Sequence, residues 1–347
     1  MQIEGRPIGP DHPPYIVAEL SGNHGGSLDR ALQIVDAVAE AGADALKLQT
    51  YTAETMTIDA DGEDFLISEP ASLWHGRRLY ELYEEAHTPW EWHQTIFERA
   101  RSNGLAAFSA PFDTTAVDFL EALDVPAHKI ASFEATDLTL VRHVARTGKP
   151  MIISTGLATA SEVETAVTAA QEAGCQDLLV FKCTSAYPTP PRDSNLATIA
   201  HLQQLTGVPV GLSDHTRGIG AAVASVALGA VAIEKHVTYS RNDETVDSAF
   251  SLEPAELAQL VDESRRAWEA VGTVHYGPTE AERESLRLRR SLYVVEDVPA
   301  RAELTRHNVR SIRPGYGLPP DLLETVLGMH VTCDIPRGTP LSWDHFR

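Results

Sequence analysis

Charged and hydroxyl side chains occur near the ends of several short apolar runs in this chain. Lys47 lies in DALKLQ, Lys129 in HKIAS, and Ser132, Ser154 and Ser213 lie at the ends of such runs. A lysine inside a buried strand needs an anionic partner, because an unpaired buried charge is costly. Ammonium groups and hydroxyls together suit a ligand that carries phosphate and carboxylate. These residues therefore predict an anion pocket.

Two histidines follow the last two runs. His215 comes directly after GLSD, and His236 ends VAIEKH. If the two runs are adjacent strands, the imidazoles approach closely enough to share a divalent ion such as Mn²⁺, Mg²⁺, Fe²⁺ or Zn²⁺. Asp214 and Glu234 would then accept from the ring N–H groups or act as counter-charges. The alternative is a pair of neutral core histidines. Other histidines, His93 among them, are predicted at the surface.

Eight repeats of a short β-branched run and a longer helical pattern must position these residues. The predicted strands cover residues 15–20, 44–49, 105–110, 128–132, 150–155, 178–183, 209–214 and 231–236. Repeated strand and crossover helix predict a parallel sheet. Eight units over about 250 residues favour an α/β fold of the (β/α)8 (TIM) barrel type, whose reacting groups lie at the C-terminal strand ends. No run is followed by a dinucleotide-binding fingerprint.

The repeats account for only part of the chain. We predict a barrel domain over residues 1–275, a polar linker over 276–288 and a small all-β domain over 289–347. Residues 50–89 are too many for a simple connection, and they include Trp74, Tyr80 and Tyr83. This segment is predicted to form an inserted loop over the mouth of the barrel.

Composition excludes several classes of function. The 28 Lys and Arg against 49 Asp and Glu give a net charge of −21, which would repel nucleic acid and anionic membranes. No stretch is apolar enough to predict a signal peptide or a membrane span. The three cysteines, Cys175, Cys183 and Cys333, are odd in number and contain no CxxC motif, so they predict neither a set of disulfides nor a cysteine metal site. A reducing, cytoplasmic compartment is therefore expected.

The residues at the strand ends also carry a family resemblance. The chain closely resembles the N-acetylneuraminate synthase family, and the similarity spans essentially its whole length. The C-terminal segment RSIRPGYGLPP resembles the antifreeze-like (SAF, β-clip) domain of that family. ASFE, LYELYEEAHTPWEWH and VDSAFSLEP look more like the pseudaminic acid synthase branch than like bacterial sialic acid synthases. The barrel motifs that carry the resemblance are AELSGNHGGSLDRALQIVDAVAEAGADALKLQTYTAETMT, SAPFD, HKIASFE, ISTGLAT, KCTSAYPTP, GLSDHT and IEKHVT.

This resemblance implies condensation of phosphoenolpyruvate (PEP) with an N-acetylated amino sugar aldehyde to give a nine-carbon nonulosonic acid and phosphate. The acceptor implied by the pseudaminic branch is 2,4-diacetamido-2,4,6-trideoxy-altrose. By position, the resemblance assigns catalysis to Glu19 and Arg313, PEP binding to Lys47, Lys129, Ser132, Ser154 and Ser213, sugar binding to Gln49, Glu134, Tyr187 and Asp247, and the divalent metal to His215 and His236.

The resemblance also implies a domain-swapped homodimer, in which Arg313 reaches the barrel of the neighbouring subunit. Two positions depart from the family pattern: Ala110 stands where many relatives have Thr, and Ser185 stands where sialic acid synthases have Asn. Three alternatives remain. One is a sialic or legionaminic acid synthase that uses N-acetylmannosamine or a related sugar. Another is a Schiff-base aldolase built on a barrel lysine. The third is a sugar-binding protein without catalysis.

Overall fold

The computed structural model describes residues 1–70 and 72–346 and divides into two compact units, Met1–Gly272 and Thr273–Arg347. The first unit contains a closed barrel of eight parallel strands, which confirms the predicted fold. Two short strands, β1 (Gln2–Ile3) and β2 (Arg6–Pro7), form a hairpin before it. The barrel strands are β3 (Tyr15–Glu19), β4 (Ala45–Thr50), β5 (Ala106–Pro111), β6 (His128–Ile130), β7 (Met151–Ser154), β8 (Leu178–Cys183), β9 (Val210–Asp214) and β10 (Ala232–His236).

Helices follow every barrel strand. Polar residues cap several of them: the side chain of Ser27 accepts from Arg30 N, and Thr159 and Glu162 form a capping box. The helices of this unit are α1 (Leu28–Glu40), α2 (Ala53–Met56), α3 (Leu79–Ala86), α4 (His93–Ser102), α5 (Thr114–Ala122), α6 (Leu138–Ala145), α7 (Ala160–Glu172), α8 (Thr198–Thr206), α9 (Gly220–Ala227) and α10 (Pro254–Val271).

Strand β6 ends two residues earlier than predicted. Ser132 begins a 3₁₀ turn, because Glu134 N donates to Ala131 O at 3.2 Å and the chain leaves the sheet. Short turns of this kind also follow other strands. The 3₁₀ helices of the unit are Ser21–His24, Glu63–Phe65, Trp90–Trp92, Ser132–Glu134, Pro191–Asp193, Arg241–Asp243 and Ser248–Phe250.

The strands are buried on both faces, as expected when helices surround a closed sheet. Leu46 and Leu48 of β4 pack in one cluster with Ile34 and Val35 of α1 and with Ile96 of α4. Side chains at alternate positions point into the barrel instead. The barrel thus presents an apolar layer to its helices and leaves its inner face free for polar groups near the C-terminal strand ends.

The expectation that His93 lies at the surface is wrong. His93 is fully buried, and its Nε2 lies 2.8 Å from Thr50 Oγ1, which itself lies 2.6 Å from Ser109 Oγ. The reason is its position on α4, where His93, Ile96, Phe97 and Ala100 form the buried face. Burial lowers the pKa of His93 to about 4, so the ring is neutral at physiological pH.

The inserted segment lies over the barrel mouth, as predicted, but it includes two helices, α2 and α3. Ile67 and Arg77 approach as in a hairpin, since Ile67 N donates to Arg77 O at 2.9 Å. Between these two residues, Trp74 Nε1 donates to Val246 O at 3.2 Å, and the centroid of the Trp74 ring lies 5.8 Å from that of Tyr187. The segment therefore contacts the loops that follow β8 and β10.

The second unit contains a small antiparallel sheet, β11 (Ser291–Val294) with β12 (Val309–Ile312), and one short helix, α11 (Leu323–Val326). The segment around His330 forms only isolated bridges. The core of this unit includes Leu292, Val309 and Leu341. The 3₁₀ helices of the unit are Glu280–Leu288, within the predicted linker, Pro320–Leu322 and Trp343–Phe346. Within the described parts of both units, no helix has the length and hydropathy needed to cross a membrane.

Candidate active site

Two lysines and two glutamates meet inside the barrel. Strand register places Glu19 beside Lys47, and Glu234 beside Ser213. The Lys47 ammonium forms an ion pair with Glu19 and lies 3.8 Å from Glu234 Oε2. Lys129 Nζ lies 3.3 Å from Glu234 Oε1, to which Ser213 Oγ donates at 3.0 Å. All five side chains are buried, so Glu19 and Glu234 are the anionic partners that the lysines require.

Burial and charge set the protonation of this cluster. Burial raises the pKa of Glu19, and the nearby Lys47 only partly opposes this effect. Burial would also raise the pKa of Glu234, but Lys129 and Lys47 hold that pKa below its ordinary value. Burial lowers the pKa of Lys129. Glu234 is thus the stable anion of the cluster, and Glu19 is the carboxylate better suited to take up a proton.

Three buried polar atoms around the cluster have no hydrogen-bond partner among the described residues: Ser154 Oγ, Ser185 Oγ and Glu134 Oε2. Ser154 ends β7, while Ser185 and Glu134 follow β8 and β6. Unpaired buried groups are rare in native structures and call for a ligand, an ion or water. Burial also raises the pKa of Glu134 to about 7. These atoms indicate a polar ligand at the C-terminal end of the barrel.

Gly156 lies at the closest approach of two of these loops. Its backbone N–H donates to Ser132 Oγ at 3.1 Å. A Cβ at this position would overlap Ser185 Oγ and would lie 2.7 Å from Ser132 Oγ. The absence of a side chain at Gly156 therefore leaves the room that the Ser132 and Ser185 hydroxyls occupy.

The two predicted metal-binding histidines lie side by side, with ring centroids 5.2 Å apart. His215 Nδ1 lies 3.0 Å from Thr184 O and donates to that carbonyl, so Nε2 is the nitrogen that a neutral His215 can offer to a metal ion. Burial alone would lower the pKa of His215, but the neighbouring Cys183 raises it above its ordinary value. His236 Nδ1 is buried without a hydrogen-bond partner among the described residues, and burial lowers the pKa of this ring well below its usual range. Two adjacent imidazoles fit a divalent ion when both are neutral, because the ion takes the place of a proton on His215.

The protein offers few further metal ligands. Across residues 1–70 and 72–346, no group of three or more His, Cys, Asp or Glu side chains is arranged to hold a metal ion. Asp247 Oδ2 lies 3.6 Å from His236 Nδ1 and also accepts a hydrogen bond from Ser21 Oγ. An ion between the histidines would therefore complete its coordination with water or substrate.

The remaining predicted residues divide into two groups. Tyr187 packs against His215 with ring centroids 4.5 Å apart, and Gln49 lies two residues beyond Lys47 on the same face of β4. Both thus belong to the barrel mouth. Arg313 belongs to the second unit, where it is exposed, and its role stays a prediction.

Two residues of the site were not assigned to it from the sequence. Glu234 was considered only as a companion of the histidines, although its position two residues before His236 on one strand places both on the same face. Cys183 Sγ lies 3.9 Å from His215 Nδ1. Burial would raise the pKa of this thiol, but His215 and Ser132 lower it to about 7. No spacing in the sequence distinguishes Cys183 from an ordinary core cysteine.

A cluster of ammonium groups, carboxylates and imidazoles at the C-terminal end of a TIM barrel is the arrangement of a barrel enzyme. The NeuB family model matches residues 34–276, and the SAF domain model matches residues 289–347. The chain therefore belongs to the NeuB family and carries a C-terminal SAF domain.

Individual relatives extend this similarity over nearly the whole chain. It is 44% identical over 340 residues to a pseudaminic acid synthase of Campylobacter jejuni, covering 97% of this chain and 98% of the relative. It is 40% identical over 334 residues to a pseudaminic acid synthase of Helicobacter pylori, covering 96% and 97%. A solved N-acetylneuraminic acid (sialic acid) synthetase from Leptospira borgpetersenii, in complex with citrate, superposes with a TM-score of 0.73 at 32% identity, covering 82% of this chain and 94% of that chain.

Proposed function

We propose that this protein condenses phosphoenolpyruvate with 2,4-diacetamido-2,4,6-trideoxy-altrose and water to give pseudaminic acid and phosphate. The main structural support for this reaction is the set of unpartnered buried polar atoms around Lys47 and Lys129 inside the barrel. The identity of 44% to a pseudaminic acid synthase over 97% of the chain supports this acceptor. As a transferase, the enzyme would move the three-carbon unit of PEP onto the sugar aldehyde.

PEP would bind within the lysine cluster. Lys47 and Lys129 supply positive charge, and Ser132, Ser154 and Ser213 supply hydroxyls that can donate to phosphate or carboxylate oxygens. Each lysine already has a carboxylate partner, so PEP would join the existing network rather than enter an unpaired basic pocket. Binding there fixes the nucleophilic carbon close to the aldehyde and lowers the entropic barrier to reaction.

Glu19 would act as the general base that takes a proton from the attacking water. The new carbon–carbon bond forms between PEP and the aldehyde carbon, which leaves positive character at the carbon that bears the phosphate. Water then adds to that carbon, Glu19 takes up the proton that the water loses, and the former aldehyde oxygen gains a proton to become a hydroxyl. Phosphate departs with the electron pair of its C–O bond, and the hydroxyl left on that carbon loses its proton to give the keto group. Burial of Glu19 beside Lys47 raises its pKa, as expected for a base that must hold this proton.

His215 and His236 would hold a divalent ion, such as Mn²⁺ or Mg²⁺. The ion would polarise the aldehyde oxygen of the acceptor. Support comes from the 5.2 Å separation of the two ring centroids, from the unpartnered His236 Nδ1 and from the low pKa of His236, which keeps that ring neutral. Asp247 and Tyr187, next to these rings, would contact the sugar.

The active assembly would be a homodimer in which Arg313 of the partner subunit closes over the acceptor. Arg313 is exposed, and no described residue forms a hydrogen bond or ion pair with its guanidinium. A free guanidinium suits hydrogen bonding to an incoming substrate. We also infer a reducing, cytoplasmic location, which the three free cysteines support.

Acceptor choice tests this proposal. With PEP and Mn²⁺, 2,4-diacetamido-2,4,6-trideoxy-altrose should give a higher kcat/KM than N-acetylmannosamine, measured by phosphate release. Faster turnover of N-acetylmannosamine would instead identify a sialic acid synthase.

A Schiff-base aldolase is the second candidate, because burial lowers the pKa of Lys129 and a neutral amine can form an imine. Borohydride treatment with pyruvate separates the two functions. A covalent adduct on Lys129 would favour the aldolase, whereas the synthase should show none.

Glu134 should make acceptor binding depend on pH. Its pKa is about 7 because of burial, so the carboxylate that would accept from the sugar amide is protonated below pH 7. The KM for the acceptor at saturating PEP should therefore rise, approaching about tenfold for each unit below pH 7. The control is Glu134→Gln, which should have a high KM that varies little with pH. An unchanged pH dependence in this variant would refute the assignment of Glu134 to the sugar.

Gly156→Ala should weaken PEP binding. The new Cβ would displace Ser132 and Ser185, and overpacking of this kind costs about 1–3 kcal/mol, or roughly fivefold to 150-fold in the KM for PEP. Gly220→Ala is the matched control, because no atom lies within 4 Å of a Cβ at that position. An unchanged KM in Gly156→Ala protein would show that Ser132 does not bind PEP.

A further inference from the structure

Trp74 lies where the inserted segment meets the barrel mouth. Ser72 Oγ accepts from Trp74 N at 3.1 Å, and the indole Nε1 donates to Val246 O at 3.2 Å. Val246 directly precedes Asp247, whose carboxylate lies beside His236. Hydrogen bonds thus hold both the backbone N–H and the indole N–H of Trp74. They give its half-buried ring a defined position next to the proposed sugar site.

Three aromatic rings, Trp74, Tyr187 and Phe250, line this side of the mouth and are called the aromatic wall here. The Trp74 and Tyr187 centroids are 5.8 Å apart, and those of Tyr187 and Phe250 are 5.6 Å apart. Phe250 is buried and lies 5.1 Å from His236, while Tyr187 lies 4.5 Å from His215. The wall therefore extends from the two histidines toward the inserted segment.

The outer part of the wall offers no free hydrogen-bond donor. The indole N–H of Trp74 is already used by Val246 O, and the ring face presents only carbon. An aromatic face favours methyl and C–H groups, whereas a hydroxyl held against it loses its hydrogen bonds to water. Trp74 thus matches the deoxygenated end of a sugar better than its hydroxylated counterpart.

We propose that Trp74 is a specificity-determining residue, which covers the methyl-bearing end of the acceptor sugar and disfavours a hydroxyl there. The proposal rests on the proposed function, because the aldehyde end of the acceptor lies at His215 and His236. The opposite end of the same sugar must then extend along the aromatic wall. Trp74 is one ring further from the histidines than Tyr187, so it meets that end.

The Trp74→Ala variant tests this role when its kcat/KM is measured with two different acceptor sugars. We expect kcat/KM for the 6-deoxy acceptor, 2,4-diacetamido-2,4,6-trideoxy-altrose, to fall at least about tenfold, the usual effect of one lost apolar contact on specificity. The value for N-acetylmannosamine should change little, and the KM for PEP should stay within about twofold of the unmodified enzyme. Trp74→Phe, which keeps an apolar ring, should retain most of the preference.

Trp268→Ala is the matched control. This tryptophan is also half-buried and also donates its indole N–H to a backbone carbonyl, Pro10 O at 3.0 Å, but it lies on α10. Its replacement should leave the acceptor ratio unchanged. An unchanged ratio in Trp74→Ala protein, or an equal loss for both acceptors and PEP, would overturn the inference. Failure of the unmodified enzyme to use PEP with either acceptor would instead refute the proposed function.

Discussion

Mixing two inactive variants, Lys129→Ala and Arg313→Ala, should restore activity after the subunits dissociate and reassociate. If each site combines Lys129 of one subunit with Arg313 of the partner subunit, every mixed dimer contains one intact site. Random pairing of equal amounts then makes up to about a quarter of all sites active. Each variant alone should be nearly inactive, because Lys129 is a buried charge partner of Glu234 and its loss leaves that carboxylate poorly compensated.

The control for this experiment is a doubly substituted chain, Lys129→Ala with Arg313→Ala, mixed with itself. It has no intact site in any pairing and should stay inactive. Subunit exchange is verified with two differently tagged chains. An inactive mixture with verified exchange would contradict the shared site and would assign Arg313 to its own barrel.

Removal of divalent metal should abolish turnover, and addition of Mn²⁺ or Mg²⁺ should restore it. The physical reason is that the aldehyde needs a Lewis acid before a carbon nucleophile as weak as PEP attacks it. In a His215→Ala, His236→Ala double variant, the bound metal measured by elemental analysis should fall to background. His143→Ala is the matched control, since His143 is a half-buried histidine on α6 that contacts Asp118.

Two results would contradict the metal site. One is full activity of protein shown to be metal-free. The other is an unchanged metal content in the double variant, because no group of three or more His, Cys, Asp or Glu side chains in the described residues offers another site.

The barrel could be predicted because each strand carries its own signal. Apolar β-branched runs alternate with helical patterns eight times, and parallel pairing follows from the crossover helices. Predicted and observed strand bounds differ by at most two residues, as at β6. The second unit was less predictable, because its short sheet is stabilised by packing around Leu292 and Val309 rather than by a repeated pattern.

Part of the site could also be predicted. Alternation along a strand places Glu234 with His236, and the order of the strands places His215 beside His236. The approach of Gly156 to Ser132 and Ser185 could not be predicted, because it depends on how three loops pack. The same holds for Trp74, whose position depends on a hydrogen bond to Val246, 172 residues away.

The most direct test of the proposed reaction is its stoichiometry and product mass. The unmodified enzyme is incubated with PEP, Mn²⁺ and 2,4-diacetamido-2,4,6-trideoxy-altrose, and both phosphate and product are quantified. The reaction requires one phosphate for each nine-carbon product, whose mass equals that of the acceptor plus pyruvic acid. Phosphate without this product, or the same product from pyruvate without PEP, would contradict the account.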